Sequence, residues 1–105
     1  MPTSGNAPVI LVIEGDEATR NSLVEALHEA GFAVVAATTG SHALATVESR
    51  VVSLAVSGSR LRGLSGAEVL RKLRDREARW RLPPVPFIML CGDLDFSAAT
   101  GARRR

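Results

Sequence analysis

The sequence predicts an α/β fold: a doubly wound, mainly parallel sheet between two helical layers. Three observations carry that expectation. Four short apolar runs, VILVI, FAVVAA, VVSLAV and FIML, are too short for helices and lack the alternation of a half-exposed strand. Three longer stretches between them place apolar residues at helical spacing. Turn or capping chemistry separates each run from each stretch, so strands and helices alternate. That order implies right-handed crossovers with helices on both faces, in three α/β/α layers.

Met1 to Pro8 is polar and contains glycine and proline, as expected of a loose terminus. Val9 to Ile13 is the first strand. Glu14-Gly15-Asp16-Glu17 interrupts it, and Asp16 suits the N-cap of a helix over Glu17–Ala30. Leu23, Leu27 and Ala30 form its apolar stripe, and Gly31 is placed to end it. Phe32 to Ala37 reads as the second strand. Thr39-Gly40-Ser41 then opens a helix over Ser41–Ser49, with Ala43, Leu44 and Val47 facing inward.

Val51 to Val56 reads as the third strand, followed by a loop of glycine, serine and arginine. Ser65-Gly66-Ala67-Glu68 has the form of a capping box and starts a helix over Gly66–Arg79. Val69, Leu70 and Leu73 share one face of it, and Glu68 and Lys72 stand four apart as a favourable charge pair. The prolines of Leu82-Pro83-Pro84-Val85-Pro86 exclude helix and predict a rigid connection. Phe87 to Leu90 is the fourth strand, and Phe96 to Ala102 is a candidate short last helix.

Composition narrows the function classes. At 105 residues the chain is one domain, read as 9–105 after the terminal segment 1–8. No apolar run approaches the roughly 18 residues of a membrane span, and MPTSGNAP lacks the features of a signal peptide. A cytoplasmic location without membrane contact is therefore expected. The single cysteine, Cys91, excludes an internal disulfide and a multi-cysteine metal site, and it reads as a buried inert thiol. His28 and His42 fall on stretches that read as helix surface.

Charge is divided along the chain. Residues 1–52 carry two basic residues against six acids, and residues 53–105 carry eleven against five. Twelve of the thirteen basic residues are arginine, which raises the alternative of an arginine-rich module for nucleic acid or another anion. Gly58, Gly63 and Gly66 fit neither phosphate-loop nor dinucleotide spacing and read as turn glycines. A weak anion site at the start of the third helix, with Ser59, Arg60 and Arg62 as candidate contacts, is physically allowed. No helix-turn-helix pattern or set of stacking aromatics accompanies the charge, so nucleic acid is not the expected partner. Trp80, among these arginines, either covers the lower edge of the domain or marks a contact surface. No acid/base pair or activated nucleophile stands out, so the chain is not expected to be an enzyme.

The combined register of these segments is similar to that of the receiver domain of bacterial two-component response regulators, a CheY-like, flavodoxin-like fold. The similarity rests on V-I-L-V-I-E-G-D-E at Val9–Glu17, Arg20, Leu27, Gly31-Phe32 and T-G-S-H-A-L at Thr39–Leu44. It continues through S-L-A-V-S-G-S-R-L-R-G-L-S-G at Ser53–Gly66, E-V-L-R-K-L-R at Glu68–Arg74 and P-F-I-M-L-C-G at Pro86–Gly92. It implies a phosphorelay role with a histidine kinase, an output domain or another receiver as partner, a homodimer being a further possibility.

The resemblance also implies a site, and the sequence departs from it. The acidic pair that holds Mg²⁺ in receivers falls on Glu14 and Gly15, with Asp16 one residue beyond. The phosphoacceptor aspartate falls on Gly58, the switch Ser/Thr on Cys91, and the invariant lysine has no counterpart. A residual cation site at Glu14 and Asp16 is all that the pattern leaves, so no cofactor is expected. Ser57 and Ser59 flank Gly58 and read as loop residues. A receiver has five strands and five helices, whereas four strands are legible here. The expectation is a phosphorylation-deficient receiver lacking the fifth strand and last helix, and acting through protein contacts or surviving only as a fragment.

Overall fold

A computed structural model describes residues 8–90 of the chain. Four strands, β1 (Val9–Ile13), β2 (Ala33–Ala37), β3 (Leu54–Gly58) and β4 (Phe87–Leu90), alternate with three helices, α1 (Glu17–Glu29), α2 (Gly40–Ser49) and α3 (Gly66–Trp80). All pairings are parallel and the sheet order is β2-β1-β3-β4. The doubly wound α/β architecture expected from the sequence is the one observed.

The two faces of the sheet divide the core. Leu11 and Ile13 of β1 lie with Ala37, Ala55, Ala43 of α2 and Val69 of α3 on one face. Ile10, Val12 and Val56 meet Leu23, Val24 and Leu27 of α1 on the other. Both faces of β1 are thus covered, which is why its sequence is uninterruptedly apolar. α1 itself has no buried residue. Its expected stripe holds at Leu23 and Leu27, but Ala30 is exposed because the helix stops at Glu29 with Ala30 as its cap.

Differences at element ends have local causes. Gly31 takes a positive φ of 98°, and the N–H groups of Gly31 and Phe32 donate to the carbonyls of His28 and Leu27. This closure captures Phe32, so β2 begins at Ala33 rather than Phe32. α2 starts one residue early, at Gly40, because Thr39 Oγ1 caps it by accepting from the His42 N–H. α3 runs one residue further than expected, to Trp80, with Arg81 in the left-handed region at φ 55°.

The largest correction concerns β3, expected over Val51–Val56 and found over Leu54–Gly58. Ser57 and Gly58 are fully enclosed between β1 and β4, where unpaired backbone groups would be costly. The ladder is therefore extended through them, with Ile13 and Met89 opposite Ser57, and Leu90 opposite Gly58. Val51 precedes the sheet and is 85% exposed, while Val52 turns into the core. The residues expected as a loose N-terminal segment up to Ala7, the candidate last helix at Phe96–Ala102, and Cys91 lie outside the described residues.

The proline-rich connection is held by a polar clamp that sequence periodicity does not reveal. Glu77 is 5% exposed. Its carboxylate accepts from Arg74 Nη1 at 2.7 Å and from the Val85 N–H at 2.8 Å, while Arg74 Nη2 donates to the Val85 carbonyl at 2.9 Å. The four bonding groups satisfy one another and fasten the approach to β4 against α3.

Candidate acidic site at the ends of β1 and β3

The carboxyl ends of β1 and β3 lie side by side, because Ile13 pairs with Ser57. In an open α/β sheet the crevice outside these ends is where ligands bind. Glu14 leaves β1 with its N–H donating to the Ala37 carbonyl at 3.0 Å, so the residue is anchored to β2 as well. Gly58 is the last residue of β3 and is buried.

Their relation defines the site. A Cβ added to Gly58 would stand 2.5 Å from Glu14 Oε1. The carboxylate from β1 therefore lies in the direction a side chain at position 58 would take. The other oxygen, Oε2, accepts from the Asp16 N–H at 2.9 Å. Glu14 is only half-buried, and its carboxylate keeps access to solvent.

Asp16 is committed to the helix. Oδ2 accepts from the Thr19 N–H at 2.9 Å and from Thr19 Oγ1 at 2.7 Å, the N-cap arrangement expected from the sequence. The bond from the Thr19 N–H is the main cause holding its carboxyl below the ordinary value of 3.8, with the hydroxyl of Thr19 second. Gly15, between the two acids, is exposed, and a Cβ there would meet only the Thr38 carbonyl at an ordinary 3.6 Å. Arg20 clasps the turn, its Nη1 donating to the Glu14 carbonyl at 3.1 Å and the Gly15 carbonyl at 3.4 Å. Sequence reading placed Arg20 in a family register without assigning it this contact. Among the described residues, no group of three or more His, Cys, Asp or Glu side chains is arranged to hold a metal ion.

Ser57 faces the other side of the sheet. It is 0% exposed, and its hydroxyl donates to the Gly58 carbonyl at 2.7 Å. The reading of Ser57 as a loop residue is thus corrected: it is a strand residue locked in the core, for the ladder reasons given above. Ser59 follows the strand, half-buried, and Arg60 and Arg62 sit exposed on the loop to α3.

That loop closes tightly on β3. The Gly66 N–H donates to the Ser59 carbonyl at 3.1 Å, and a Cβ at Gly66 would collide with the Gly58 carbonyl oxygen. Gly66 is thus the residue that lets α3 begin against the end of β3. The capping box forms in full: the Glu68 N–H donates to Ser65 Oγ, and the Ser65 N–H donates to Glu68 Oε1. The expected favourable pairing of Glu68 with Lys72 holds as a charge attraction and not as the main bond of the carboxylate. Glu68 folds back on Ser65 instead, whose backbone bond chiefly lowers its carboxyl, while Arg71 and Lys72 contribute only at longer range. His28 and His42 are exposed on their helices, as expected, and neither approaches the site.

The chain is similar to known proteins over most of its length. A family model described as the response regulator receiver domain matches residues 10–103. The C4-dicarboxylate transport transcriptional regulatory protein DctD of Rhizobium meliloti (strain 1021) is 27% identical over 96 residues, covering 91% of this chain. The chain spans only 20% of the length of that relative. Among solved structures, a response regulator receiver protein from Pseudomonas putida superposes with a TM-score of 0.73 at 22% identity, over 93% of this chain and 78% of the other. The chemotaxis response regulator CheY4 of Vibrio cholerae gives 0.74 at 18% identity, over 94% and 80%. At these identities the structural likeness speaks for the fold.

Proposed function

Since the chain belongs to the receiver domain family of two-component response regulators, we propose that it serves that signalling system as a phosphorylation-deficient receiver. Its output is carried by protein contacts, with a histidine kinase, an output domain or another receiver as partner.

The observation that carries this reading is the relation of Gly58 to Glu14. Phosphoryl transfer to a receiver needs a carboxylate nucleophile at the end of the third strand, with metal and lysine charge around the transferring oxygens. At this position the chain has a hydrogen atom, and the Glu14 carboxylate lies against it. Ser57 is no substitute, since its hydroxyl is buried, donates to a carbonyl, and points away from Glu14. The donor set does not fit Mg²⁺ either. That ion takes oxygen ligands in near-octahedral geometry, whereas Asp16 is spent on its helix cap and Glu14 supplies one partly engaged carboxylate. With no acid/base pair in place among the described residues, we read the domain as a binding module and not as an enzyme.

The test is incubation with acetyl phosphate and Mg²⁺, followed by intact mass measurement. An unchanged mass is expected. A phosphoryl increment removed by hydroxylamine would overturn the proposal through a carboxylate. An increment that resists hydroxylamine and disappears in Ser57→Ala would overturn it through the serine.

A further inference from the structure

The opposite end of the sheet carries a surface that the acidic site does not use. The buried stripe of α3 passes through Val69, Leu73 and Glu77. Trp80 stands three residues further, at the next position of that stripe, yet it is 66% exposed. The stripe therefore continues past the point where the protein's own core covers it. Val51, at 85% exposure, and Leu82, at 36%, add apolar surface at the same end. Two concavities of about 360 and 700 Å³ run along the last turns of α2 and α3 and share Glu48 and Arg76. Trp80, Lys72 and Arg79 line the smaller one, and Val51 and Leu82 the larger.

Charge surrounds this apolar strip. Between residues 71 and 81 the chain places six basic residues against two acids. One of those acids, Glu77, is already bound to Arg74. An apolar centre with tryptophan, rimmed by arginine, is the anatomy of a protein interface.

We propose that this surface docks an acidic partner protein, through a segment that sets an apolar side chain against Trp80 and carboxylates against Lys72, Arg76 and Arg79. A protein segment can space its carboxylates to avoid Glu48 and Asp75, which line the same concavity. A nucleic acid brings a phosphate at every step and offers little to Val51 and Leu82, and the strip has one aromatic side chain where strand binding uses several. The proposal deepens the protein-contact reading above and rests on it for the class of partner. The two fail separately, because acetyl phosphate labelling does not involve this surface.

Trp80 is the only tryptophan in the chain, so its emission reports occupancy directly. The probe is a synthetic amphipathic peptide of glutamate and leucine, titrated into the full chain. A saturable blue shift is expected, weakening by about tenfold in Arg76→Glu/Arg79→Glu. Arg71→Glu, an exposed position on α3 that lines neither concavity, is expected to leave it unchanged, and circular dichroism checks that both variants fold. No shift, or an equal loss in Arg71→Glu, would overturn the proposal. Tighter binding of a short DNA duplex at the same salt would overturn it in favour of nucleic acid. A blue shift on concentrating the protein alone would overturn it in favour of a second copy of this chain.

Discussion

At Gly58 the lack of a side chain leaves room in which the Glu14 carboxylate lies. A carboxylate at position 58 would share its space with Glu14 Oε1, and two like charges at that range need a cation between them. Position 15 is free of steric obstruction, with only the Thr38 carbonyl at 3.6 Å. Gly15→Asp/Gly58→Asp is therefore expected to fold and to bind Mn²⁺ about tenfold more tightly than the parent, measured by electron paramagnetic resonance. Gly66 differs in kind from Gly58. Glu14 can swing aside from a new Cβ, but the Gly58 carbonyl facing Gly66 is backbone and cannot. Gly66→Ala is expected to cost about 2 kcal/mol or more in chemical denaturation, and Gly58→Ala much less.

The elements are set by their ends as much as by their faces. Asp16 and Glu68 both have carboxyls lowered by bonds to the first turn of a helix. A carboxyl lowered on folding contributes stability that is present above its unfolded value, here 3.8 for Asp16 and 4.5 for Glu68. That contribution is lost as pH falls through the lower folded values. Asp16→Asn keeps an acceptor at the cap but removes the titration. Its urea midpoint is expected to fall less steeply than the parent's in the acid range below pH 3.8. Capping chemistry was legible in the sequence because Asp16, Thr39 and Ser65-x-x-Glu68 act within three residues. The clamp at Glu77 was not, because Val85 lies eight residues away and no local pattern marks it. Glu77→Ala strands the Val85 N–H and part of Arg74, at an expected cost of about 1–3 kcal/mol. Glu77→Gln, which can still accept from Val85, is expected to lose less. Urea denaturation of the two variants distinguishes them.

At the scale of the molecule, the sheet is covered unequally. α2 and α3 close one face, while α1, without a buried residue, lies over the other. In the described residues β4 is the edge strand, and Ile88, opposite Val56 on the α1 face, is 49% exposed. Ile88→Lys is expected to change stability by no more than about 0.5 kcal/mol and to reduce concentration-dependent light scattering, since a charged side chain blunts an apolar edge. The acidic site at Glu14 and Gly58 and the proposed docking surface around Trp80 stand at opposite ends of the same strands.

The sequence by itself determined the class of fold, the order of its elements and the helix caps. Each of those depends on residue type at short spacing, which periodicity and capping preferences report directly. It misplaced β3 because apolar Val51 and Val52 outweighed small Ser57 and Gly58, whose place in the ladder comes from two neighbouring strands. Arg81 ends α3 in a left-handed conformation without the glycine that would have marked it. Only the tertiary structure decided that Glu14 turns into the space beside Gly58 and that Trp80 emerges from the core. Both outcomes depend on which segments meet across the sheet, and no stretch of sequence contains that contact.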